Sequence, residues 1–234
     1  MAAFRRALVL IRGFKAYRSS GESMTQQIST EALLARLMAS PRGTRQIIAI
    51  AGAPASGKST LAEQLVAALN AASPGRAALL PMDGYHFDDT LLERRGRRAM
   101  KGAPDTFDVG GLAALIGRLR SRLEDEVVAP VFDRDIEIAR AGANPIRRDA
   151  DIIVVEGNYL LIGAAPWASL APLFDLKVLV DVPEDVLRAR LRARWEHYRL
   201  PEAEIARKLN EVDLPNGRFV MANSVGADLM LRNL

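Results

Sequence analysis

Short apolar segments alternate with segments of helical spacing along most of the chain. Runs of apolar residues predict buried strands at 46–51, 77–82, 151–155 and 176–182, and a last strand at 227–231. Apolar residues at helical spacing predict helices at 30–38, 58–69, 112–123, 183–198 and 201–212. Because apolar strands that alternate with helices form covered parallel sheets, we expect an α/β fold with helices on both faces of a parallel sheet.

The first 28 residues have no steady hydrophobic period. Residues 1–23 hold five basic residues and one acidic residue, which accounts for the whole net charge of +4, so the rest of the chain sums to zero. We assign residues 1–28 to a basic N-terminal arm and residues 29–234 to a single domain. Three interpretations of the arm are open. It is a disordered arm or upstream read-through with the true start at Met24, a targeting segment, or a binding arm.

Composition removes several classes of protein and site. The chain has no Cys and only two His, His86 and His197. This excludes disulfides, thiolate metal sites, Cys nucleophiles and His-only metal clusters, and it fits a reducing, cytoplasmic compartment. No apolar run reaches the roughly 18–20 residues of a membrane span. The zero net charge of residues 24–234 gives no footprint for nucleic acid, so we expect neither a membrane nor a nucleic-acid partner.

The most specific motif is a Gly-rich turn between the first predicted strand and the helix after it. It fits G-x-x-x-x-G-K-S followed by Thr, and its residues are Gly52, Ala53, Pro54, Ala55, Ser56, Gly57, Lys58, Ser59 and Thr60. Such a loop turns backbone N–H groups towards phosphate oxygens. We expect Lys58 to hold the β- and γ-phosphates and Ser59 to ligate Mg²⁺. The motif predicts a nucleoside triphosphate site but does not say which reaction uses it.

Acidic residues follow two later strands of the predicted sheet. Asp83 stands in MDGYHF, where an Asp can accept a proton from an attacking hydroxyl, and Tyr85 and His86 are expected to line an acceptor pocket. Glu156 ends the third strand, where an acid can hold Mg²⁺ directly or through water. Structural roles are the alternatives: a turn or cap for Asp83, a hydrogen bond for His86 and a salt bridge for Glu156.

Three segments together resemble the phosphoribulokinase/uridine kinase family: GAPASGKST, MDGYHF and VVEGNYLL. The stretch KGAPDTFD at 101–108 and the Arg-rich helix at 183–198 add to the similarity, which covers about residues 45–234. The resemblance implies a P-loop NTPase fold with ATP, Mg²⁺, an Asp base and a helical lid that carries Arg. By position, it makes Asp83 the base, Glu156 the Mg²⁺-associated acid, and Arg190 or Arg194 a lid arginine.

The acceptor side of the resemblance is less specific. In uridine kinases the acceptor loop resembles FDHPDAFD, and its early Asp serves the ribose hydroxyls. This chain has Gly102 at that place, which weakens the case for a nucleoside as acceptor. The Lys-Gly-x-Pro motif is similar to that of pantothenate kinases. The combination of MDGYHF, KGAPDTFD, VEGNYLL and Asp213–Asn216 is most similar to bacterial members described as nucleoside/nucleotide kinase-like or fructokinase-like. The candidate substrate-binding residues are Tyr85, His86, Lys101, Asp105, Phe107, Arg134, Asn158 and Tyr159.

A basic cluster precedes the acceptor loop. Its members are Arg94, Arg95, Arg97, Arg98 and Lys101. The cluster is either a pocket for a phosphorylated or carboxylated acceptor or a solvated surface face.

These features predict an ATP-dependent kinase that moves the γ-phosphoryl group to a hydroxyl of a small metabolite. A sugar-like acceptor such as fructose is favoured, and pantothenate or a nucleoside is open; the resemblance also leaves a homodimer open. The expected catalytic residues are Asp83, Lys58, Arg190 and Arg194. The alternative is a P-loop NTPase switch that acts on a protein or nucleic-acid partner. A catalytically silent binding protein is disfavoured, since it need not keep all of these groups together.

Overall fold

A six-stranded parallel sheet lies at the centre of the computed structural model, which describes residues 25–233. The strands run in the spatial order β1-β8-β7-β2-β6-β3, and β4 and β5 form a separate antiparallel hairpin. The strand bounds are β1 Gln26–Ile28, β2 Gln46–Gly52, β3 Ala77–Pro81, β4 Glu126–Asp133, β5 Ile138–Arg147, β6 Ile152–Gly157, β7 Leu176–Asp181 and β8 Leu229–Arg232.

Helices connect these strands. Their bounds are α1 Thr30–Met38, α2 Lys58–Ala72, α3 Asp89–Arg94, α4 Val109–Ser121, α5 Glu184–His197, α6 Glu202–Arg207 and α7 Leu214–Asn223. A π-helical segment, Lys208–Asp213, joins α6 to α7. Short 3₁₀ turns occupy Met82–Tyr85, Arg98–Met100, Pro104–Thr106 and Trp167–Leu173.

Helices cover both faces of the sheet, as the apolar strands predicted. Along β2, Ile47 and Ala49 belong to one buried cluster and Ile48 and Ile50 to the other. The first cluster includes residues of α4 and the second includes residues of α1, α2 and α5. Because successive side chains of a strand point to opposite faces, both sides of β2 bury apolar surface. The parallel sheet covered on both faces is therefore confirmed.

The register of the strands brings the predicted site segments to one edge of the sheet. Glu156 in β6 is paired with Ile50 in β2 and with Pro81 in β3. The Gly-rich loop starts two residues after Ile50, and Asp83 lies two residues after Pro81. Since the strands are parallel, their carboxyl ends meet at the same edge, which is where ligands bind in such sheets.

Two parts of the fold differ from the sequence prediction. Residues 26–28 were assigned to the N-terminal arm, but they form β1 and pair in parallel with β8 at the sheet edge. The rest of that prediction, for residues 1–24, falls outside the described residues. The second difference is the antiparallel β4–β5 hairpin, a second sheet that the sequence pattern does not predict. Residues 25–233 contain no helix long and apolar enough to cross a membrane.

Candidate active site

The Gly-rich loop is held in a conformation that suits an anion. Gly57 has a positive φ of 83°, and a Cβ at this position would lie 2.3 Å from Nδ2 of Asn233. That Nδ2 donates a hydrogen bond of 2.8 Å to the carbonyl oxygen of Ser56, so the residue after β8 fixes the loop. The first N–H groups of α2, from Lys58 onwards, have no acceptor within the helix. The loop therefore offers donors and the positive end of a helix to phosphate oxygens.

Lys58 lies among the charged groups of the site. Burial lowers the pKa of its amino group, and the carboxylates of Glu156 and Asp83 oppose that shift. Arg194 and Arg134 act in the same direction as burial, since they add positive charge nearby. Two carboxylates balance the charge of the Lys58 ammonium in the absence of a nucleotide, and phosphate oxygens can do so when a nucleotide binds.

Glu156 and Ser59 form a pair of oxygen donors beside Lys58. The Ser59 hydroxyl donates a hydrogen bond of 3.0 Å to Oε2 of Glu156, whose side chain is buried. Burial raises the pKa of Glu156, while the Lys58 ammonium and the Ser59 hydrogen bond lower it. A carboxylate and a hydroxyl are the hard ligands that Mg²⁺ prefers. Within residues 25–233 no group of three or more acidic, His or Cys side chains could hold a metal. The Ser59 hydroxyl and the Glu156 carboxylate suit a Mg²⁺ ion that also takes phosphate and water oxygens as ligands.

Asp83 lies in the 3₁₀ turn that follows β3. Its carboxylate accepts a hydrogen bond from Nη2 of Arg134, at the tip of the β4–β5 hairpin. The hairpin approaches this turn closely, because a Cβ on Gly84 would lie 2.4 Å from the carbonyl oxygen of Pro130. Glycine at position 84 thus lets the hairpin bring Arg134 to Asp83.

An aromatic wall stands next to Asp83. The His86 ring lies 4.1 Å from the Phe107 ring and 4.6 Å from the Phe132 ring, measured between centroids. The His86 Nδ1 is 2.7 Å from the carbonyl oxygen of Asp83. Burial lowers the pKa of His86, so the ring is neutral at pH 7 and donates through Nδ1 to that carbonyl. His86 therefore shapes the wall and supports the turn that carries Asp83.

These elements surround a cleft of about 620 Å³. Ten residues of the sequence prediction line it: Pro54, Lys58, Ser59, Asp83, His86, Lys101, Phe107, Arg134, Asn158 and Arg194. The Oδ1 atom of Asn158 is buried and has no hydrogen-bond partner among the described residues, which leaves it available to a ligand. The structure thus brings together the triphosphate loop, the candidate base and five of the eight candidate acceptor residues.

Other predicted residues lie outside the lining of this cleft. Tyr85 points into the core, Asp105 is paired with Arg97 at 2.7 Å, and the Tyr159 hydroxyl donates to the Gly102 carbonyl at 2.6 Å behind the cleft wall. Burial raises the pKa of both tyrosines. Arg190 lies beside the loop at Gly57.

Three of the five residues in the basic cluster before the acceptor loop form ion pairs. Arg98 and Lys101 both pair with Asp89, at 2.8 and 2.6 Å, and Arg97 pairs with Asp105. Arg98 and Lys101 reach the cleft lining, but each already has a carboxylate partner. The cluster is therefore divided: Arg98 and Lys101 reach the cleft, whereas Arg94, Arg95 and Arg97 lie outside its lining.

The sequence prediction missed the cleft wall that the end of α5 and the π-helical segment form. Trp195, Lys208 and Asp213 line the cleft, and the Trp195 indole N–H donates a hydrogen bond of 2.8 Å to Oδ2 of Asp213. Burial raises the pKa of Asp213, and the Trp195 hydrogen bond opposes the shift. Asp213 was noticed only as part of the resemblance, since the π-helical segment breaks the period from which a helix face is deduced.

Comparison with known proteins agrees with this geometry. A family model described as AAA domain matches residues 48–210. A Schizosaccharomyces pombe protein named "Putative uridine kinase" is 33% identical over 197 residues, which are 81% of this chain and 84% of that protein. A pantothenate kinase of Streptomyces avermitilis is 36% identical over 157 residues, which are 64% of this chain and 47% of that enzyme.

A solved structure is similar in both sequence and fold. It is a "putative fructose transport system kinase" from Silicibacter sp. TM1040, with 40% identity and a TM-score of 0.78 over 87% of this chain and 98% of that one. The same family is indicated by the P-loop, by the acids that follow β3 and end β6, and by these relatives. The chain belongs to the phosphoribulokinase/uridine kinase family of P-loop kinases and is an ATP-dependent small-molecule kinase.

Proposed function

We propose that the protein transfers the γ-phosphoryl group of ATP to a hydroxyl of a small sugar-like metabolite. The observation that carries the proposal is the shared cleft of Lys58, Ser59 and Asp83, in which a hydroxyl next to Asp83 is also next to the triphosphate loop. The P-loop NTPase switch is not favoured, since the relatives are named as kinases of small molecules.

Each charged group has a distinct role in this proposal. The N–H groups at the start of α2 and the Lys58 ammonium hold the β- and γ-phosphates. Ser59 and Glu156 would hold Mg²⁺, which would supply positive charge to the phosphoryl oxygens. Asp83 orients the acceptor hydroxyl and takes its proton, and Arg194 stabilises the negative charge of the transition state.

Arg134 and Arg190 support these groups. Arg134 holds the Asp83 carboxylate through its hydrogen bond, which fixes the base before the acceptor arrives. Nη1 of Arg190 is buried beside Gly57 without a hydrogen-bond partner in the described part of the chain. Arg190 therefore serves the nucleotide at the loop, whereas Arg194 serves the cleft where transfer occurs.

A sugar such as fructose is the favoured acceptor, with pantothenate and nucleosides next. Three observations support this order. The Silicibacter protein described as a "putative fructose transport system kinase" is 40% identical to this chain over nearly its full length. The cleft combines an aromatic wall with the Asn158 amide, which suits a molecule with both C–H faces and hydroxyls. The resemblance to uridine kinases implies an acidic, ribose-binding residue at the position that Gly102 occupies in this chain.

The test is ADP release by the purified chain with ATP and Mg²⁺, across fructose, other sugars, glycerate, pantothenate, uridine and cytidine. We expect one acceptor to raise the rate well above background. Asp83→Asn should lower that stimulated rate by about 10²–10⁴ with little change in the KM for ATP. Asp149→Asn, an exposed Asp away from the cleft, is the matched control and should behave as wild type. If the stimulated rate survived in Asp83→Asn, the role of Asp83 as base would be refuted.

A further inference from the structure

A second cavity of about 470 Å³ opens from the reaction cleft. We call it the side compartment. Arg134, Arg194, Trp195 and Lys208 line both spaces, and Tyr198 and Leu200 line only the side compartment. No residue of the Gly-rich loop lines it. It is therefore continuous with the position of Asp83 and separate from the triphosphate loop.

Two cations at the junction of the cavities have no carboxylate partner in the described part of the chain. Within residues 25–233, neither Arg194 nor Lys208 has an acidic oxygen within 4.0 Å, whereas nearby Arg134 and Arg207 are paired with Asp83 and Glu204. Three basic residues and one acidic residue, Glu137, line the side compartment. A partly enclosed space with this excess of positive charge attracts an anion.

The side chains at this junction are held in place. The Lys208 ammonium lies 4.4 Å from the centroid of the Trp195 ring, and the indole N–H of Trp195 is fixed by Asp213 at 2.8 Å. Asp213 thereby fixes the Trp195 ring, and its charge acts on Lys208 and Arg194 from beyond ion-pair distance. A cation that is positioned by an aromatic ring keeps its N–H donors for a ligand.

We propose that the acceptor is an anionic small molecule, with its hydroxyl at Asp83 and its phosphate or carboxylate bound by Lys208 at the side compartment, while Arg194 keeps its role at the transferred phosphoryl group. This inference rests on the proposed function and narrows the acceptor from a neutral sugar such as fructose to an acidic derivative. The aromatic and aliphatic surfaces of Trp195, Tyr198 and Leu200 contact the carbon skeleton between the two ends. Trp195 is a binding residue in this scheme and Asp213 is a positioning residue.

The kinetic test uses matched acceptor pairs that differ only in an anionic group. The pairs are fructose with fructose 6-phosphate, ribulose with ribulose 5-phosphate, glycerol with glycerate, and pantothenyl alcohol with pantothenate. We expect an anionic member to have the higher kcat/KM. Lys208→Gln should raise its KM by about ten- to a hundredfold, the value of a hydrogen bond to a charged group, with kcat and the KM for ATP within twofold. Lys177→Gln, which removes a Lys remote from the cleft, is the control and should change nothing.

A binding measurement tests the inference without turnover. The chain has two Trp residues, of which Trp167 is buried, so a ligand at the side compartment should change the emission of Trp195. With a non-hydrolysable ATP analogue and Mg²⁺ present, we expect the anionic acceptor to shift this emission in wild type and to bind at least about tenfold more weakly to Lys208→Gln.

The outcomes separate the two proposals. Loss of all acceptor-stimulated ADP release would count against the proposed function, whereas the fluorescence titration would still report on the anion site. Preference for the neutral member of each pair, an unchanged KM in Lys208→Gln, or no binding by any anionic member would overturn the anion site. A preference for the anionic member in the two sugar phosphate pairs would identify a phosphate site, and the same preference in the glycerate and pantothenate pairs would identify a carboxylate site.

Discussion

The Arg134 guanidinium donates a hydrogen bond to the Asp83 carboxylate across the gap between the β4–β5 hairpin and the end of β3. The two residues are 51 positions apart in the chain: Asp83 lies in the turn after a strand of the central sheet, and Arg134 lies at the tip of the separate hairpin. Their contact joins the acceptor wall to the candidate base. A carboxylate held by a planar guanidinium has a defined orientation, which matters when it must meet a single hydroxyl.

Arg134→Gln should therefore reduce phosphoryl transfer without affecting nucleotide binding. We expect kcat/KM for the acceptor to fall by about 10²-fold, because a small displacement of a catalytic group has that effect. The KM for ATP should stay within twofold. Arg140→Gln is the matched control, since Arg140 lies on the same hairpin and pairs with Asp133 at 3.1 Å. Equal losses in both variants would show a general effect of the hairpin instead.

Glu156→Gln should change the requirement for Mg²⁺. The variant removes the charge that Glu156 offers to the ion, so we expect the Mg²⁺ concentration for half-maximal activity to rise by about 10–100-fold. The affinity for ATP without Mg²⁺ should not fall, because the loop and Lys58 are intact. Titrating Mg²⁺ at fixed ATP measures the first effect. Glu63→Gln, an exposed change on α2, serves as control, and an unaltered Mg²⁺ curve for Glu156→Gln would contradict the metal role.

His86 should make the stability of the fold depend on pH. Burial between two Phe rings lowers its folded pKa below the ordinary 6.5, so the folded state binds the proton more weakly than the unfolded chain. The contribution of the neutral ring is present above pH 6.5 and is lost as the pH falls towards the folded pKa. Between pH 7.5 and 5.5, the Tm of wild type should fall more than that of His86→Asn.

Melting curves of the two proteins at several pH values measure this difference. His197→Asn, at the exposed end of α5, should keep the wild-type pH dependence. Parallel Tm curves for wild type and His86→Asn would refute the assignment.

Arg45→Met should destabilise the fold without changing the cleft. The guanidinium of Arg45 is buried at the amino end of the sheet and donates to four carbonyls, those of Leu119, Arg147, Arg148 and Ala150. Burial lowers its pKa to about 10, so it remains charged at pH 7. Loss of these bonds leaves buried acceptors unpaired, and we expect the free energy of unfolding to fall by at least about 2 kcal/mol.

Urea denaturation gives that free energy, and kcat of the folded enzyme should equal wild type. Arg36→Met, on the exposed side of α1, should change the free energy of unfolding by less than about 0.5 kcal/mol. A silent Arg45→Met would show that the four contacts have little net effect.

The sequence predicts the parts of the fold that local patterns determine. The strands β2, β3, β6 and β7 are buried on both faces, and their continuous apolar runs are visible without a structure. The hairpin is not visible in this way, because β5 is mostly exposed and contains Gly142 and Pro145, which are unusual in strands. β1 has only three residues and exists through its pairing with β8, which is distant in sequence.

The same division holds within the site. The nucleotide loop follows from one contiguous motif, so Lys58 and Ser59 could be placed beforehand. The side-chain directions of Tyr85 and Asp105 could not, because the 3₁₀ turns that carry them do not follow a strand or helix period. Arg190 and Arg194 share a helix face, yet one reaches the loop and the other the cleft, because four residues of α5 span about 6 Å.

The separation of the hairpin from the central sheet has a consequence for how such enzymes diversify. The strands that present the P-loop, Asp83 and Glu156 make no ladder hydrogen bonds to β4 or β5. Val127, Ala129 and Ile146 anchor the hairpin in the core, whereas its tip, residues 134–137, is exposed and can be lengthened, shortened or exchanged while the sheet keeps its register. An exchange of this stretch between relatives should transfer acceptor preference and leave the handling of ATP unchanged. Enzymes with a common phosphate donor could in this way come to serve different branches of metabolism.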